Sequence, residues 1–359
     1  MTQNDKDMIK VAQKYIKVEN SVVTSLIRID NYKGCPPFYQ YTTAYRVGKE
    51  NHDLNVNGLS FNEEEAKAKA VFETVERWSL YHIPRATQTY EVNTQNRITK
   101  TSCISCATIF GTNSSGCASG LSKESALNRA LYELIEQDAF AIFYYNKLTP
   151  QKLPLTYFKK INQLLSMLKS FHFKVHLFNI SLDIAVPVCL CVLENMTSTK
   201  PYFTLGIKAR EDWNDAAEGS ILESLQSLGS FRHLAKNFEK INSPILRRIK
   251  YWFDKKPQSS LNFLFQGKIK HNISSGSELP VFERLREAGI NKVYYRQIYK
   301  ENGIVVVQAA IPELVKLFMN EKAKPDVANH RIFIAPVHFG LLSHSKTNED
   351  LNIVPHPFP

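Results

Sequence analysis

The stretch Ala126-Leu-Asn-Arg-Ala130-Leu-Tyr-Glu133-Leu-Ile-Glu136-Gln137 decides how this chain is read. An alanine is followed at helical spacing by a second small residue and then by two glutamates. The same steps lead from Ala66 to Ala70, Glu73, Glu76 and Arg77, and in part from Ala216 to Ser220, Glu223 and Gln226. On an α-helix, positions i, i+4 and i+7 share one stripe, and a residue at i+10 stands one turn further along nearly the same face. The small residues let each helix pack closely, and the paired carboxylates then point toward a shared space. Exposed helices also carry Glu-x-x-Glu by chance. Here, however, the pattern recurs with one spacing, and Phe72, Val75 and Trp78 flank one pair while Leu131, Leu134, Ile135 and Phe140 flank the other. Charge in such apolar company is costly unless it is paired. Carboxylate groups of this kind suit Mg2+, which prefers hard oxygen ligands and bridges to substrate phosphates. The spacing predicts that Glu73, Glu76, Glu133 and Glu136 converge on one cavity.

The chain has 359 residues, 43% of them hydrophobic and 22% charged, an ordinary globular balance. No apolar run is long enough to cross a bilayer, and Met1 to Glu19 is polar, without the apolar region of a signal peptide. The expectation is a soluble, cytoplasmic protein without a membrane role. A net charge of +11 suits nucleotide, nucleic acid or an acidic peptide. The basic residues are scattered apart from Arg247, Arg248 and Lys250 and the pair Lys268 and Lys270. No nucleic-acid-binding module is recognisable, so no nucleic-acid partner is expected. Cys103 and Cys106 form the one Cys-x-x-Cys, without the second pair that a structural zinc needs. Cys189 and Cys191 read as core thiols.

Residues 38–49 and 86–110 read as strands, and Asn62 to His82 as a long helix entered through Ser60 and Asn62. Residues 111–120 read as a small-residue loop that leads into a helix from Lys123 to Asn146 with Ser122 as its N-cap. Such a loop before a helix can cradle an anion, although this one is neither a P-loop nor a dinucleotide fingerprint. A helix is expected over 157–170, strands over Phe173–Phe178, Ala185–Leu193 and Thr204–Ala209, and a third motif helix over Asp215–Asn237. Residues 240–279 read as an irregular basic insertion or mobile region. A helix at Pro280–Ala288 and strands at Lys292–Ile298 and Val305–Ile311 follow. His330, His338 and His344 lack metal-ligand spacing and read as ordinary hydrogen-bonded histidines. The chain ends in Val354-Pro-His-Pro-Phe-Pro359, in which three prolines favour a stiff extended conformation. The whole is a mixed α/β (α+β) chain of repeated glutamate-bearing helices packed on β-sheets. It is read as a single domain over 1–359 with a proline-rich tail at 354–359.

Taken together, these segments resemble the YcaO family. The resemblance rests on Asn57-Gly58 with Glu65-Ala66 and Glu73-Thr-Val-Glu76-Arg77, and on Gly116-Cys-Ala-Ser-Gly120 with Glu133-Leu-Ile-Glu136-Gln-Asp138-Ala139. It rests also on Glu223-Ser-Leu-Gln226, on the strand ending in Pro312-Glu-Leu, and on the terminal Pro-His-Pro-Phe-Pro. What it implies is an ATP- and Mg2+-dependent enzyme. A Cys, Ser or Thr side chain adds to the preceding amide of a ribosomally made peptide, ATP phosphorylates the oxygen, and loss of phosphate closes an azoline ring. By the resemblance, Glu73, Glu76, Glu133 and Glu136 hold metal, and Arg77, Ala118, Ser119, Glu124, Glu223 and Arg232 join them around ATP. Pro355, Pro357 and Pro359 bring the terminal carboxylate to the reacting amide.

The resemblance further implies a precursor peptide as substrate and a separate leader-binding, adenylating-enzyme-like partner protein. A flavin dehydrogenase and a homodimer complete the partners it suggests, as in a bacteriocin synthetase complex. The chain departs from the family pattern at Leu59, Ser125 and Gln137. A basic phosphate contact is thereby missing, or is supplied by Arg46, Lys49 or Lys67. Two other readings compete: a YcaO enzyme that makes thioamides or macrocyclic amidines, and a nucleotide-binding scaffold subunit.

Overall fold

A computed structural model describes residues 2–17, 21–31, 34–47, 50–52, 57–83, 87–93, 98–101, 109–110, 114–236, 238, 244–270, 273, 279–317 and 330–358. In chain order the helices are α1 (Gln3–Ile16), α2 (Glu63–Tyr81), α3 (Lys123–Tyr145), α4 (Asn162–Ser170), α5 (Trp213–Ala235), α6 (Pro244–Phe253), α7 (Val281–Glu287) and α8 (Arg331–His338). The strands are β1 (Val23–Ile29), β2 (Tyr39–Val47), β3 (Glu50–His52), β4 (Asn57–Ser60), β5 (Thr89–Asn93), β6 (Ile98–Thr101), β7 (Cys117–Gly120), β8 (Gln151–Leu153), β9 (Phe173–Asn179), β10 (Val188–Asn195), β11 (Phe203–Ala209), β12 (Lys292–Glu301) and β13 (Ile304–Ala310). The mixed α/β class is as expected. The chain divides into two compact units, residues 1–134 with 289–312 and residues 135–288 with 313–359.

In the first unit, α2 is the central element. Its N-cap Asn62 accepts the Glu65 N–H at 3.0 Å, which satisfies one of the donors that a helix start leaves orphaned. One side of the helix is small. Ala66 and Ala70 pack with Tyr41 against the antiparallel sheet β1-β2-β3, to which β4 adds beside β2. The other side is larger. Val71, Phe72 and Val75 pack with Cys117, Ile298 and Val306 of a second antiparallel sheet, ordered β6-β5-β12-β13-β7, and α1 adds Met8, Ala12 and Tyr15 to that core. Two sides of α2 are therefore buried, and its charged residues pair along the half-buried remainder, as Lys69 does with Glu65.

In the second unit, the antiparallel sheet runs β11-β10-β9-β8, and every residue of β10 is buried. Cys189 and Cys191 lie in that strand as core thiols, and burial pushes both thiols up. Helix α5 covers β10 and β11, starting at Asp212, whose carboxylate accepts the N–H groups of Asn214 and Asp215. Helix α3 supplies residues to both units.

One contact recurs. A Cβ on Gly58 of β4 would lie 2.0 Å from the Ala66 carbonyl oxygen and 2.4 Å from the Ala70 nitrogen of α2. A Cβ on Gly206 of β11 would lie 2.0 Å from the Ser220 oxygen and 2.6 Å from the Ser224 nitrogen of α5. At Gly120 of β7 it would come within 2.9 Å of the Ala126 nitrogen of α3. Small helix residues thus meet a strand glycine in all three copies of the motif, and the backbones touch.

The structure corrects several expectations. Cys117–Gly120 is a strand and not a loop, because its backbone pairs with Val305–Gln308 of β13. The preceding Gly111–Asn113 and the thiols Cys103 and Cys106 lie outside the described residues. Within 86–110 the expected strands are β5 and β6, but Ile109 and Phe110 are helical, with Phe110 buried. Residues 155–161 make 3₁₀ turns before α4 begins at Asn162. Within 240–279, α6 and two single-turn helices stand where an irregular insertion was expected. Leu246, Ile249 and Trp252 recur at helical spacing and bury one side of α6. His330 caps α8 by accepting the Ile332 N–H, and His344 bonds to Ser343, as ordinary histidines do. Among the described residues no helix is long and apolar enough to cross a membrane.

Replacing Gly58 or Gly206 by alanine is expected to cost about 3 kcal/mol or more, because neither facing backbone can retreat without breaking its helix. Ala66→Gly, which only loosens the contact, is expected to cost about 1 kcal/mol. Chemical denaturation midpoints measure the difference. A wild-type midpoint for Gly206→Ala would show that the close approach is not a constraint.

Candidate functional site

The glutamates of the motif do not hang in solvent. In the first unit, Glu76 on α2 accepts both the backbone N–H of Ser119, at 3.0 Å, and its hydroxyl, at 3.3 Å. Ser119 belongs to β7, so the second carboxylate of the first motif caps the strand that leads into the second motif helix. Arg77, half-buried, donates to Glu73 at 3.5 Å. Burial alone would lower the Arg77 guanidinium, but Glu73, Glu76 and Glu133 outweigh it and push it further up. Burial pushes the Glu76 carboxyl up to about 7, with Glu73 adding to the rise and Arg77 and the Ser119 donors opposing it. Glu133 on α3 is half-buried in the same electrostatic group. Cys117, one pleat before Ser119, is buried, and its thiol is held well above the usual range by burial and by Glu76.

The second unit repeats the arrangement. Glu136 on α3 is buried and accepts the Ala209 N–H of β11 at 3.0 Å. Glu223 on α5 accepts the Ile207 N–H of the same strand at 3.3 Å. Lys208 lies between these two strand residues, and its ammonium stands 3.4 Å from Glu136 and 3.3 Å from Glu223. Burial raises the Glu136 carboxyl, Glu223 adds to that rise, and Lys208, Arg210 and the Ala209 N–H oppose it. Two residues beyond Glu136, the buried Asp138 receives Arg331 at 2.9 Å and the Val315 N–H at 2.8 Å. Arg331 also bridges to Asp183. This network ties α3 to α8 immediately beyond the carboxylate.

The other expected residues fall as follows. Ala118 is buried on β7 between Cys117 and Ser119. Glu124 is an exposed residue of the first turn of α3, whose N-cap Ser122 accepts the Ser125 N–H at 3.1 Å. Arg232 donates to the Lys200 carbonyl at 3.1 Å and to the Thr199 hydroxyl at 3.2 Å, which places it against the turn before β11. Lys67 pairs with Glu63 and Glu64. Lys49 lies outside the described residues, as does Pro359.

The rest of the tail is docked on the second unit. Tyr144 donates to the Val354 carbonyl at 3.2 Å and to the Pro355 carbonyl at 2.9 Å. Trp252 of α6 donates to the Pro355 carbonyl at 2.7 Å, and Arg248 reaches the His356 carbonyl at 3.4 Å. Phe358 packs edge-on against Phe140, with ring centroids 4.8 Å apart. Pro357 lies between the buried His356 and Phe358. Glu136, Phe140 and Tyr144 stand at i, i+4 and i+8 on α3, so the tail runs along the stripe that carries Glu136.

Buried, hard oxygen donors whose ionisation is disfavoured in the free protein are what a small divalent cation with a phosphate chain would compensate. The donor set therefore fits Mg2+ with nucleotide. Among the described residues no three Asp, Glu, His or Cys side chains form a metal cage on their own. Mg2+ does not need one, since it keeps waters and phosphate oxygens as ligands. Sequence reading missed Lys208, Asp138 and Arg331. The signal for Lys208 was a charged residue inside the otherwise uncharged strand Phe203–Ala209.

A family model described as YcaO cyclodehydratase, ATP- and Mg2+-binding, matches residues 100–315. An uncharacterised protein of Methanothermobacter thermautotrophicus is 24% identical over 223 residues, 58% of this chain and 57% of that protein. The chain thus spans little more than half the length of this curated relative. Among solved structures, a heterocyclase in complex with substrate and cofactor superposes with a TM-score of 0.74 at 17% identity, covering 98% of this chain and 57% of that one. YcaO from Methanopyrus kandleri, bound with AMPPCP and Mg2+, gives 0.66 at 18% identity, covering 90% and 95%. The Escherichia coli microcin synthetase McbBCD complex with pro-MccB17 bound gives 0.59 at 15%, covering 83% and 90%. At these identities the likeness is one of fold.

The raised Glu76 carboxyl makes a pH-dependent prediction. Between about pH 4.5 and 7 the unfolded chain has lost this proton while the folded protein keeps it, so stability falls as pH rises through that window. Glu76→Gln keeps the acceptor for Ser119 and removes the ionisation. In the absence of ligand it is expected to be about 1–3 kcal/mol more stable than wild type at pH 8 and nearly equal to it at pH 5. Melting curves at the two pH values test this, and the same difference at both would contradict it.

Proposed function

Because this chain belongs to the YcaO cyclodehydratase family, we propose that it is the ring-forming subunit that closes azolines in a ribosomally made precursor peptide. Glu73, Glu76, Glu133, Glu136 and Glu223 are assigned to Mg2+ and ATP. Bound ATP supplies the phosphoryl group that makes the amide oxygen a leaving group, and Mg2+ neutralises the charge of that transfer. The remaining work falls to the protein. The Ser119 and Ala209 N–H groups hold Glu76 and Glu136 in fixed rotamers. A carboxylate held in this way loses no further freedom when its cation arrives, and positioning of this kind is what phosphoryl-transfer sites mostly contribute. Arg77 and Lys208 keep the like charges of each group together in the free protein.

The observation that carries the azoline reading is the docked tail. A stiff segment that ended in solvent would have no need of Tyr144, Trp252 and Arg248. Here three side chains hold its carbonyls along the stripe of Glu136. Prolines at 355 and 357 reduce the entropy lost on that docking. The tail is therefore assigned to the substrate amide, where it orients the group or accepts its proton. The precursor's leader is assigned to a separate partner protein. One of the structures similar in fold is a synthetase complex with pro-MccB17 bound, and action within a complex of several proteins is proposed here.

Two outcomes are expected. Reconstituted with its leader-binding partner, the chain should remove one water from the precursor per ring and consume ATP, whereas alone it should convert little. Mass spectrometry reads both, and efficient leader-dependent conversion by the isolated chain would overturn the partner assignment. Deleting Pro357 to Pro359 should abolish ring formation while the protein stays folded and keeps most of its Mg2+-ATP binding, its melting temperature falling by what the loss of the Phe358 ring from Phe140 costs. Undiminished cyclisation by the truncated protein would make the tail structural and favour a thioamide- or amidine-forming member of the family.

A further inference from the structure

The two carboxylate groups are not neutralised in the same way. In the first, the cation is Arg77, which directly follows Glu76 in the motif. In the second, the corresponding position is Gln137, and the positive charge comes from another element altogether. It is Lys208, on the strand whose neighbouring N–H groups bind Glu136 and Glu223. Its ammonium lies within 3.4 Å of both carboxylates, and the side chain is half-buried.

Its route there is built into the sequence. The stem of Lys208 crosses α5 at Gly219. A Cβ on Gly219 would meet Lys208 Cγ at 2.7 Å and its Cβ and Cδ at 3.3 Å. Gly219 stands within α5, where glycine costs about 1 kcal/mol relative to alanine. The helix tolerates that cost at the one place where the lysine lies flat on it. A strand lysine facing a helix glycine is a placement that packing alone does not require, since an alanine facing a shorter side chain would be more stable.

Building on the reading above, we propose that Lys208 is a nucleotide-phosphate contact. In the free protein it is the counter-ion of Glu136 and Glu223. When Mg2+ takes over the charge of these carboxylates, the ammonium is left beside an anion that needs it, the phosphate chain. A compact ammonium on a flexible stem suits such a point contact. No group is transferred and no bond is made or broken at Lys208. Its part is electrostatic.

The test is equilibrium binding of Mg2+-ATP and of AMP to the full chain. Lys208→Met keeps the stem over Gly219 and removes the charge. It should weaken Mg2+-ATP binding at least about tenfold, as loss of one charged phosphate contact does, and change AMP binding less than about twofold. Gly219→Ala keeps every charge, favours the helix and displaces the stem. It should weaken Mg2+-ATP binding while leaving the melting temperature equal or higher. Equal losses for ATP and AMP, or no loss for either variant, would overturn the assignment and leave Lys208 a structural counter-ion. If the wild-type chain itself does not bind Mg2+-ATP while its fold is intact, the nucleotide reading of the site fails and this assignment falls with it.

Discussion

A carboxylate that leaves a tightly packed helix and accepts a strand N–H is the interaction on which this fold depends. It occurs at Glu76 with Ser119 and again at Glu136 with Ala209. Close packing and a carboxylate bond coincide within one helix–strand pair at α5 and β11, where Ser220 and Ser224 lie against Gly206 and Glu223 accepts the Ile207 N–H. At Glu76 and Glu136, burial makes the acid reluctant to ionise without a cation.

The balance of charge follows from this. Each buried carboxylate group keeps a resident cation, Arg77 in the first unit and Lys208 in the second. Neither cation removes the cost of burial, since both Glu76 and Glu136 remain raised. The free protein therefore holds its acids in an unfavourable state that a divalent metal with phosphate would relieve. Asp138 is treated differently. It is fully engaged by Arg331 and the Val315 N–H and serves as an internal brace. The tail adds a second use of α3, in which Phe140 and Tyr144 continue the face of Glu136 and seat residues 354–358.

Much of this was legible in the sequence because it is periodic. The alanine and glutamate spacing predicts α2, α3 and α5 to within a few residues, and Asn62 and Ser122 act as the caps their chemistry suggests. Elements defined by partners distant in sequence were not legible. Cys117–Gly120 looks like a loop because its residues are small, yet it is a strand that β13 pairs and helices cover. Helix α6 looks irregular because Arg247, Arg248 and Lys250 obscure the spacing of Leu246, Ile249 and Trp252. Lys208 carried no motif of its own, since its meaning lies in Gly219 and in two carboxylates distant in sequence. Arg232 likewise has local partners, Thr199 and Lys200, that its spacing from Gln226 does not reveal.

The proposal that the glutamates of the repeated motif hold Mg2+-ATP is tested most directly by the Mg2+-ATP dissociation constant of the wild-type chain beside single Glu→Gln variants at 73, 76, 133 and 136, with circular dichroism to confirm that each is folded. Each variant is expected to keep its fold and to bind Mg2+-ATP at least about tenfold more weakly, the loss expected when a charged ligand of the ion is removed. Folded variants that bind with wild-type affinity would contradict it.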